Sequence, residues 1–309
     1  MPDGIVAKTL HIPELGDRGI DIPYYEIKGR REGPQLTALA GVHGTEYASI
    51  AAAREFVRDL DPDAVSGTIV VVPIVSVTSF WARSPFVVPE DGKNLNRCFP
   101  GDPNGTFTDI LAHHVFETFI RGADFMVDMH CGDLPEALEP LAIFEESPVT
   151  DASREMAIAY GLGHIVHQRA ELQTGGGRSY GSASQIGIPG FVAESGQKGL
   201  LERDAIDRHV AGLTNLARFV GVLDGDPWPR REVREHRGVR TLRAERAGWW
   251  ESSVELGVPV EAGDLLGTLS DVWGSGVTQI RAPEAGTPLF LTTNPAVSFD
   301  GVLLGIALD

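Results

Sequence analysis

Two hydrophobic periodicities alternate along the first 223 residues. Apolar residues recur at helical spacing over 46–60, 108–121 and 201–223, which predicts three amphipathic helices. Short apolar runs, typical of strands buried on both faces, lie between and before these helices. They cover 36–40, 67–73, 123–129, 141–144, 165–167 and 190–193, and looser alternation over 1–30 predicts further short strands. The alternation predicts an α/β fold with helices on both faces of a sheet.

The pattern changes after residue 223. The breaker cluster 225–229 is followed by short apolar runs separated by glycine turns, without a helical pattern. We therefore predict two domains, 1–226 and 227–309, the second a small β domain. Its turn rhythm is that of a biotinyl/lipoyl-like barrel-sandwich, which carries its cofactor on a lysine. No lysine follows Lys198, so a carrier function is excluded.

Composition narrows the possible partners. The 309 residues carry a formal net charge of −17, which argues against nucleic acid or an anionic membrane as a partner. An arginine-dense stretch over 230–246 is interleaved with glutamates, as on a solvated strand face. Two cysteines cannot form a disulfide framework, and no apolar run approaches eighteen residues. Residues 1–10 lack a signal-peptide pattern, so we expect a cytoplasmic protein.

A candidate metal site lies where the apolar run 36–40 meets the first predicted helix. His43 and Glu46 are three residues apart in a glycine-flanked corner. Imidazole and carboxylate are zinc ligands, and a catalytic zinc takes three protein ligands and leaves one position for water. An HxxE pair also occurs by chance in proteins without a metal, so the assignment depends on a third ligand.

The third ligand that we predict is His130, which follows the buried run 123–129. The carboxyl end of a strand is where open α/β sheets place their ligand sites. Asp128 lies two residues earlier, on the same face of the strand, and could hold the other ring nitrogen of His130. The alternative for Asp128 is a capping or loop-bonding role.

Further polar residues occupy loops and a strand end. Asn96 and Arg97 could hold a substrate carboxylate, and Arg83 could face a developing oxyanion. The alternative for such loop arginines is a surface salt bridge. Glu194 ends a short apolar strand, a position suited to a general base that acts on metal-bound water.

Other motifs compete with a metal site. Residues 177–181 match the GxSxG nucleophile elbow, with Ser179 as nucleophile, but the polar, glycine-rich residues before it are not a buried strand. A loop over the pocket is the better interpretation of 175–184, with Arg178 available to grip a substrate carboxylate. His113 and Glu117 could chelate a metal, although such a helical pair is more often solvated.

The ordered set resembles the succinylglutamate desuccinylase/aspartoacylase family, a deacylase branch of the zinc carboxypeptidase fold. The residues that carry the resemblance are His43, Glu46, Asn96, Arg97, Asp128, His130 and Glu194. The segment 83–101 is similar to the subgroup that includes N-acetyl-diaminobutyrate deacetylases. The gap between Arg83 and Arg97 is longer than in the aspartoacylases.

The resemblance implies a mixed sheet flanked by helices, with one zinc ion per chain on His43, Glu46 and His130. It implies Glu194 as base and proton carrier, Arg83 as carbonyl polariser, and Asn96 with Arg97 as substrate anchors. The implied activity is hydrolysis of a small N-acyl amino acid or N-acyl diamine, and we favour acetyl as the acyl group. We also expect a homo-oligomer. A non-catalytic binding protein is the remaining alternative, although every position that the chemistry needs is filled.

Overall fold

A nine-stranded mixed sheet runs through the larger part of the protein. The computed structural model describes residues 4–169, 177–230 and 232–309. Strands are numbered along the chain, and the sheet order is β1-β2-β4-β3-β5-β9-β7-β8-β10. Its members are β1 (Ile5–Ile12), β2 (Ile20–Lys28), β3 (Arg31–Ala40), β4 (Ser66–Val72), β5 (Phe125–His130), β7 (Leu141–Glu145), β8 (His164–Gln168), β9 (Gly190–Glu194) and β10 (Arg234–His236). The predicted strands are thereby confirmed.

Helices cover both faces of this sheet, as the sequence predicts. They are α1 (Tyr47–Asp59), α2 (Val77–Ala82), α3 (Phe107–Val115), α4 (Thr150–Tyr160), α5 (Ser179–Gln185) and α6 (Arg203–Phe219). Ile69 and Val71 face a core with α1, α4 and α6, whereas Val70 and Val72 face a core with α3 and α5. Strand side chains alternate between faces, so β4 contributes to both cores.

Four helices differ from the sequence prediction. The helix predicted over 108–121 is α3 followed by a π-helical turn, Phe116–Ile120. The helices α2 and α4 lie in segments for which the sequence predicts none. In α4 the buried positions include Ser153 besides Met156, Ala157 and Tyr160, so its apolar stripe is interrupted. The loop predicted over 175–184 is helical from Ser179 onward, and residues 170–176 lie outside the described part.

Two antiparallel four-stranded sheets make up the rest of the described chain. One has the order β11-β17-β15-β6 and the other β14-β13-β12-β16. Their strands are β6 (Glu136–Leu138), β11 (Gly238–Arg243), β12 (Gly248–Ser252), β13 (Leu265–Ser270), β14 (Thr278–Arg281), β15 (Thr287–Thr292), β16 (Ala296–Val297) and β17 (Val302–Leu308). The expected β character of this region is confirmed.

Two strands cross the predicted boundary at 226/227. The strand β10 joins the large sheet beside β8, and β6 joins the C-terminal sheet beside β15. The division into 1–226 and 227–309 therefore stays a prediction, as does a homo-oligomer. No helix of the described residues is long and apolar enough to cross a membrane.

Candidate active site

The loop after β3 needs glycine at two positions. Gly41 has a φ of +64°, in the left-handed region that favours glycine. Gly44 packs directly on α2, and a Cβ there would lie 2.1 Å from the backbone nitrogen of Phe80. These close packings hold His43 and Glu46 at the carboxyl edge of the sheet.

Three predicted metal ligands meet at this edge. Their parent strands β3 and β5 are parallel neighbours, so His130 at the end of β5 lies beside the loop after β3. His43 Nδ1 lies 2.6 Å from Glu46 Oε1, and His130 Nδ1 lies 3.0 Å from Glu46 Oε2. One candidate ligand atom from each residue lies within 4.8 Å of the other two. The three side chains are 9%, 2% and 2% exposed.

The outer nitrogens of the two imidazoles face other polar groups. His43 Nε2 lies 3.1 Å from Asn94 Oδ1. His130 Nε2 lies 3.1 Å from Asp128 Oδ1, although the angle does not make a regular hydrogen bond. A partner at Nε2 leaves Nδ1 available as the ligand atom, which is the arrangement of metal-bound histidines. Asp128 thus lies beside the outer nitrogen of His130, and its role in holding that ring stays a prediction; Asn94 is a residue that the sequence reasoning missed.

The charges around His43, Glu46 and His130 favour a cation at this position. Burial opposes ionisation of Glu46, but the adjacent His130 and His43 lower its pKa to about 2. Burial also opposes protonation of the imidazoles, yet Glu46 raises the pKa of His43, and Asp128 with Glu46 raises that of His130 well above its usual value. Glu46 thus favours a positive charge on both neighbouring imidazoles, and two imidazoles with one carboxylate are a donor set that fits a catalytic metal.

Glu194 lies beside this group. It is the residue of β9 that pairs with His130 of β5 in the parallel register, and it is partly exposed. Burial, followed by the negative charges of Glu46, Glu136 and Asp128, raises the pKa of Glu194 well above its usual value, against the opposing effect of His130. A carboxyl group with such a pKa at a cleft is suited to carry a proton.

Ser179 does not face the pocket as a nucleophile would. It is fully buried at the start of α5, and its Oγ donates a short hydrogen bond to Asp128 Oδ2. Its backbone N–H donates to Asn96 Oδ1 at 3.0 Å. Within the described residues no histidine bonds to it, so the elbow interpretation lacks its base. Ser179 instead connects Asp128 to the loop that carries Asn96.

Arg97 and Arg178 come together in a second polar group. The guanidinium of Arg178 donates to Glu145 Oε1 at 2.8 Å. Arg97 is exposed to solvent and donates to the carbonyl of Asn96, and no carboxylate of the described residues forms an ion pair with it. Although its side chain reaches solvent, desolvation by the surrounding protein, followed by the charge of Arg178, lowers the pKa of Arg97. Among the described side chains, the guanidiniums of Arg97 and Arg178 thus lie near one carboxylate, that of Glu145.

Arg83 lies at the end of α2 with a φ of +55° and an exposed side chain. Among the described contacts its guanidinium forms neither a hydrogen bond nor an ion pair. The same loop brings Phe86 to His43, with ring centroids 6.0 Å apart, so the segment borders the candidate metal ligands. The structure does not join Arg83 itself to them.

Several known proteins are similar to this chain. The family model for the succinylglutamate desuccinylase/aspartoacylase catalytic domain matches residues 32–220. A relative, the N-alpha-acetyl-L-2,4-diaminobutyric acid deacetylase of Halomonas elongata, is 26% identical over 291 residues, covering 90% of this chain and 84% of that protein.

Solved structures agree with the fold. The product-bound ectoine utilization protein EutE (DoeB) from Ruegeria pomeroyi aligns with a TM-score of 0.88 at 25% identity, over 100% of this chain and 97% of that one. A succinylglutamate desuccinylase/aspartoacylase from Rhodobacter sphaeroides aligns with a TM-score of 0.87 at 24% identity, over 100% and 96% of the two chains. Since the family model spans more than half of the sequence, the chain belongs to the succinylglutamate desuccinylase/aspartoacylase family of deacylases.

Proposed function

We propose that this protein is a zinc-dependent hydrolase that cleaves the amide bond of a small N-acyl amino acid or N-acyl diamine. The observation that carries the proposal is the buried group of His43, Glu46 and His130, with Glu194 beside it on the next strand. A bound zinc ion supplies a water molecule of lowered pKa and polarises the amide carbonyl.

The remaining chemistry is assigned to residues of the chain. Glu194 takes a proton from the attacking water and returns it to the leaving nitrogen, because an amine anion cannot leave unprotonated near neutral pH. Arg83 is assigned to the developing oxyanion, because its side chain is exposed and its loop places Phe86 against the ring of His43. Asp128 and Asn94 hold the outer nitrogens of the two histidines in place.

The guanidiniums of Arg97 and Arg178 support a substrate that carries a carboxylate. Arg97 is assigned to bind it in a bidentate manner, with Arg178 and Asn96 nearby. We favour acetyl as the acyl group of the substrate, because the Halomonas elongata relative is named for an N-acetyl substrate. Succinyl would need a further cation in the acyl pocket, and Arg178 is already held by Glu145.

A substrate panel tests the proposal. N-acetyl, N-succinyl and N-aspartyl derivatives of amino acids and diamines are incubated with the zinc-loaded protein, and released amine is measured. We expect the highest kcat/KM for an N-acetyl compound with a free carboxylate. Activity that survives complete removal of zinc by a chelator would contradict the proposal.

Metal content is tested separately. Protein purified without added metal is compared with His43→Ala by elemental analysis, and we expect about one zinc per chain in the wild type and near none in the variant. His113→Ala is the matched control, because His113 lies on α3, outside the candidate metal group of His43, Glu46 and His130. Equal zinc in wild type and His43→Ala would overturn the ligand assignment.

A further inference from the structure

A fully buried histidine on α6 contacts the strand ends that carry two residues of the proposed site. His209 is 0% exposed, and its Nε2 lies 2.9 Å from the carbonyl oxygen of His130 and 3.1 Å from that of Ser195. Carbonyl oxygens only accept, so Nε2 carries a hydrogen and donates to both. One N–H group therefore joins the end of β5 to the residue that follows β9.

This contact lies where the strand pairing ends. His130 and Glu194 are the last residues of β5 and β9, and they are register partners. Beyond them, the backbone N–H of Ser195 also donates to the carbonyl of His130, at 3.1 Å. Ser195 is 0% exposed. Within the described residues, His209 is the donor to its carbonyl oxygen. Without His209 this carbonyl would lack its partner at the point that sets the position of Glu194.

A second residue fixes the imidazole ring. Tyr160 Oη lies 2.8 Å from His209 Nδ1 and 3.2 Å from the His209 carbonyl oxygen. Tyr160 is the last residue of α4 and is 2% exposed. The His209 ring is thus held by Tyr160 of α4 on one side and by the ends of β5 and β9 on the other, so it has little freedom to move.

We propose that His209 is a positioning residue that fixes the metal ligand His130 and the proton carrier Glu194 relative to each other. The proposal rests on the proposed function. A general base must lie within hydrogen-bond reach of its proton, and a displacement of about 1 Å can cost about 10²-fold in rate. His209 supplies a fixed link between the two groups while contacting neither side chain.

Two substitutions separate the donated hydrogen bond from packing. His209→Leu removes the donor and fills similar space, whereas His209→Gln places an amide N–H₂ near the position of Nε2. At saturating zinc we expect His209→Leu to lower kcat by about 10-fold or more with KM changed less than about 3-fold. We expect His209→Gln to recover most of that loss.

Asn215→Leu is the matched control. Asn215 is also buried on α6, but it bonds Ala159 and Trp228 rather than the strand ends. Its substitution should lower the melting temperature and leave kcat unchanged, at a temperature where all variants are folded. A kcat equal to wild type in His209→Leu, an equal loss in Asn215→Leu, or no recovery in His209→Gln would overturn the proposal.

Zinc affinity gives a readout that does not need activity. Partners that orient a metal ligand typically contribute about 10- to 100-fold in affinity. We expect competition with a chelator to show weaker zinc binding in His209→Leu, recovery in His209→Gln and no change in Asn215→Leu. If His209→Leu does not fold, Tyr160→Phe is the substitute, with a smaller loss expected in both kcat and affinity. If the wild type cleaves no amide of the panel, the proposed function fails. Zinc affinity then tests the positioning role separately, and unchanged zinc affinity in these variants would overturn it.

Discussion

At the scale of single residues, the two histidines of the metal group differ in what holds them. His43 is held by the neutral amide of Asn94, whereas His130 faces the carboxylate of Asp128, which accepts the short hydrogen bond from Ser179. A carboxylate partner raises the basicity of a metal-binding imidazole more than an amide does. His130 and its partners are therefore expected to contribute more to metal affinity.

Ser179→Ala tests whether this serine is a nucleophile or a support. A support role predicts a loss of activity of no more than about 10-fold, because Asp128 loses one hydrogen bond and stays in place. A nucleophile role predicts near-complete loss. Steady-state kinetics on the best panel substrate decide between them, with zinc content measured on the same samples.

Glu194→Gln tests the proton carrier. We expect kcat to fall by about 10²-fold or more, with zinc content and KM close to wild type, since only proton transfer is removed. Most of the kcat remaining at full zinc occupancy would show that the base is another residue.

Glu145→Gln is the control for that experiment. The strand β7 runs antiparallel to β9 and places Leu141 opposite Glu194. Glu145 therefore lies four residues away along the strand, about 13 Å at 3.3 Å per residue. This position and the ion pair with Arg178 make Glu145 unsuitable as a general base beside Glu46 and His130. Its substitution should change KM through Arg178 more than kcat.

Arg97→Ala tests the carboxylate anchor. Binding that is equal in the ground state and the transition state predicts a raised KM and a nearly unchanged kcat. Arg240→Ala, at an exposed arginine paired with Glu284, is the matched control and should leave both constants unchanged. A fall in kcat with an unchanged KM would place Arg97 in the chemical step instead.

At the scale of elements, a histidine pair joins β8 to β10. His164 Nδ1 lies 3.0 Å from His236 Nε2, the rings stack at 14°, and His236 Nδ1 lies 3.0 Å from Asp309 Oδ1. Burial, then the charges of His236 and Arg234, lowers the pKa of His164 to about 4, against Asp309. Burial also lowers the pKa of His236. Two neutral imidazoles thus share one hydrogen bond at this junction.

This pair predicts a pH dependence of stability. A histidine with a folded pKa near 4 and an unfolded pKa near 6.5 takes up its proton more readily when unfolded. The free energy of unfolding should therefore decrease as pH falls from about 6.5 to about 4, and the pair should contribute no slope above that range. Urea unfolding of the metal-free protein should show a shallower decrease in His164→Gln. His11→Gln, at an exposed ring, should keep the wild-type slope; an equal slope in all three proteins would contradict the assignment.

At the scale of the whole molecule, residues from both sides of the predicted domain boundary share a core. Leu138, Leu141 and Val166 pack with Val239, Leu289 and Ala307. Such a shared apolar core couples the stability of the two parts, because the unfolding of one part would expose apolar core residues of the other to water. We therefore predict that the residues on both sides of 226/227 unfold as one cooperative unit.

Leu289→Ala tests this coupling. Leu289 is 0% exposed, so the substitution should lower the free energy of unfolding by roughly 2–5 kcal/mol while unfolding stays a single transition. Leu265→Ala, at a leucine 37% exposed, should cost much less. Urea unfolding followed by tryptophan fluorescence and by far-ultraviolet circular dichroism gives the comparison. Two separated transitions would show that the parts unfold independently.

The sequence alone predicted most elements and the three candidate metal ligands that the structure brings together. Periods of 2.0 and 3.6 residues are local properties, so the runs over 36–40, 123–129 and 190–193 identify strands without knowledge of the fold. The pair His43 and Glu46, followed by His130 and Glu194 at strand ends, needed only the rule that ligand sites lie at carboxyl edges. The interrupted apolar stripe hid α4, because Ser153 is buried by tertiary packing.

Only the tertiary structure decided which strand ends meet. The order β3-β5-β9 brings His130 beside Glu194, and the reversed direction of β7 places Glu145 four residues along that strand from the level of Glu194. His209 reaches the carbonyl of His130 from 79 positions further along the chain. Strand order, strand direction and such contacts depend on which apolar faces pack together across the whole molecule, and no local periodicity records that choice.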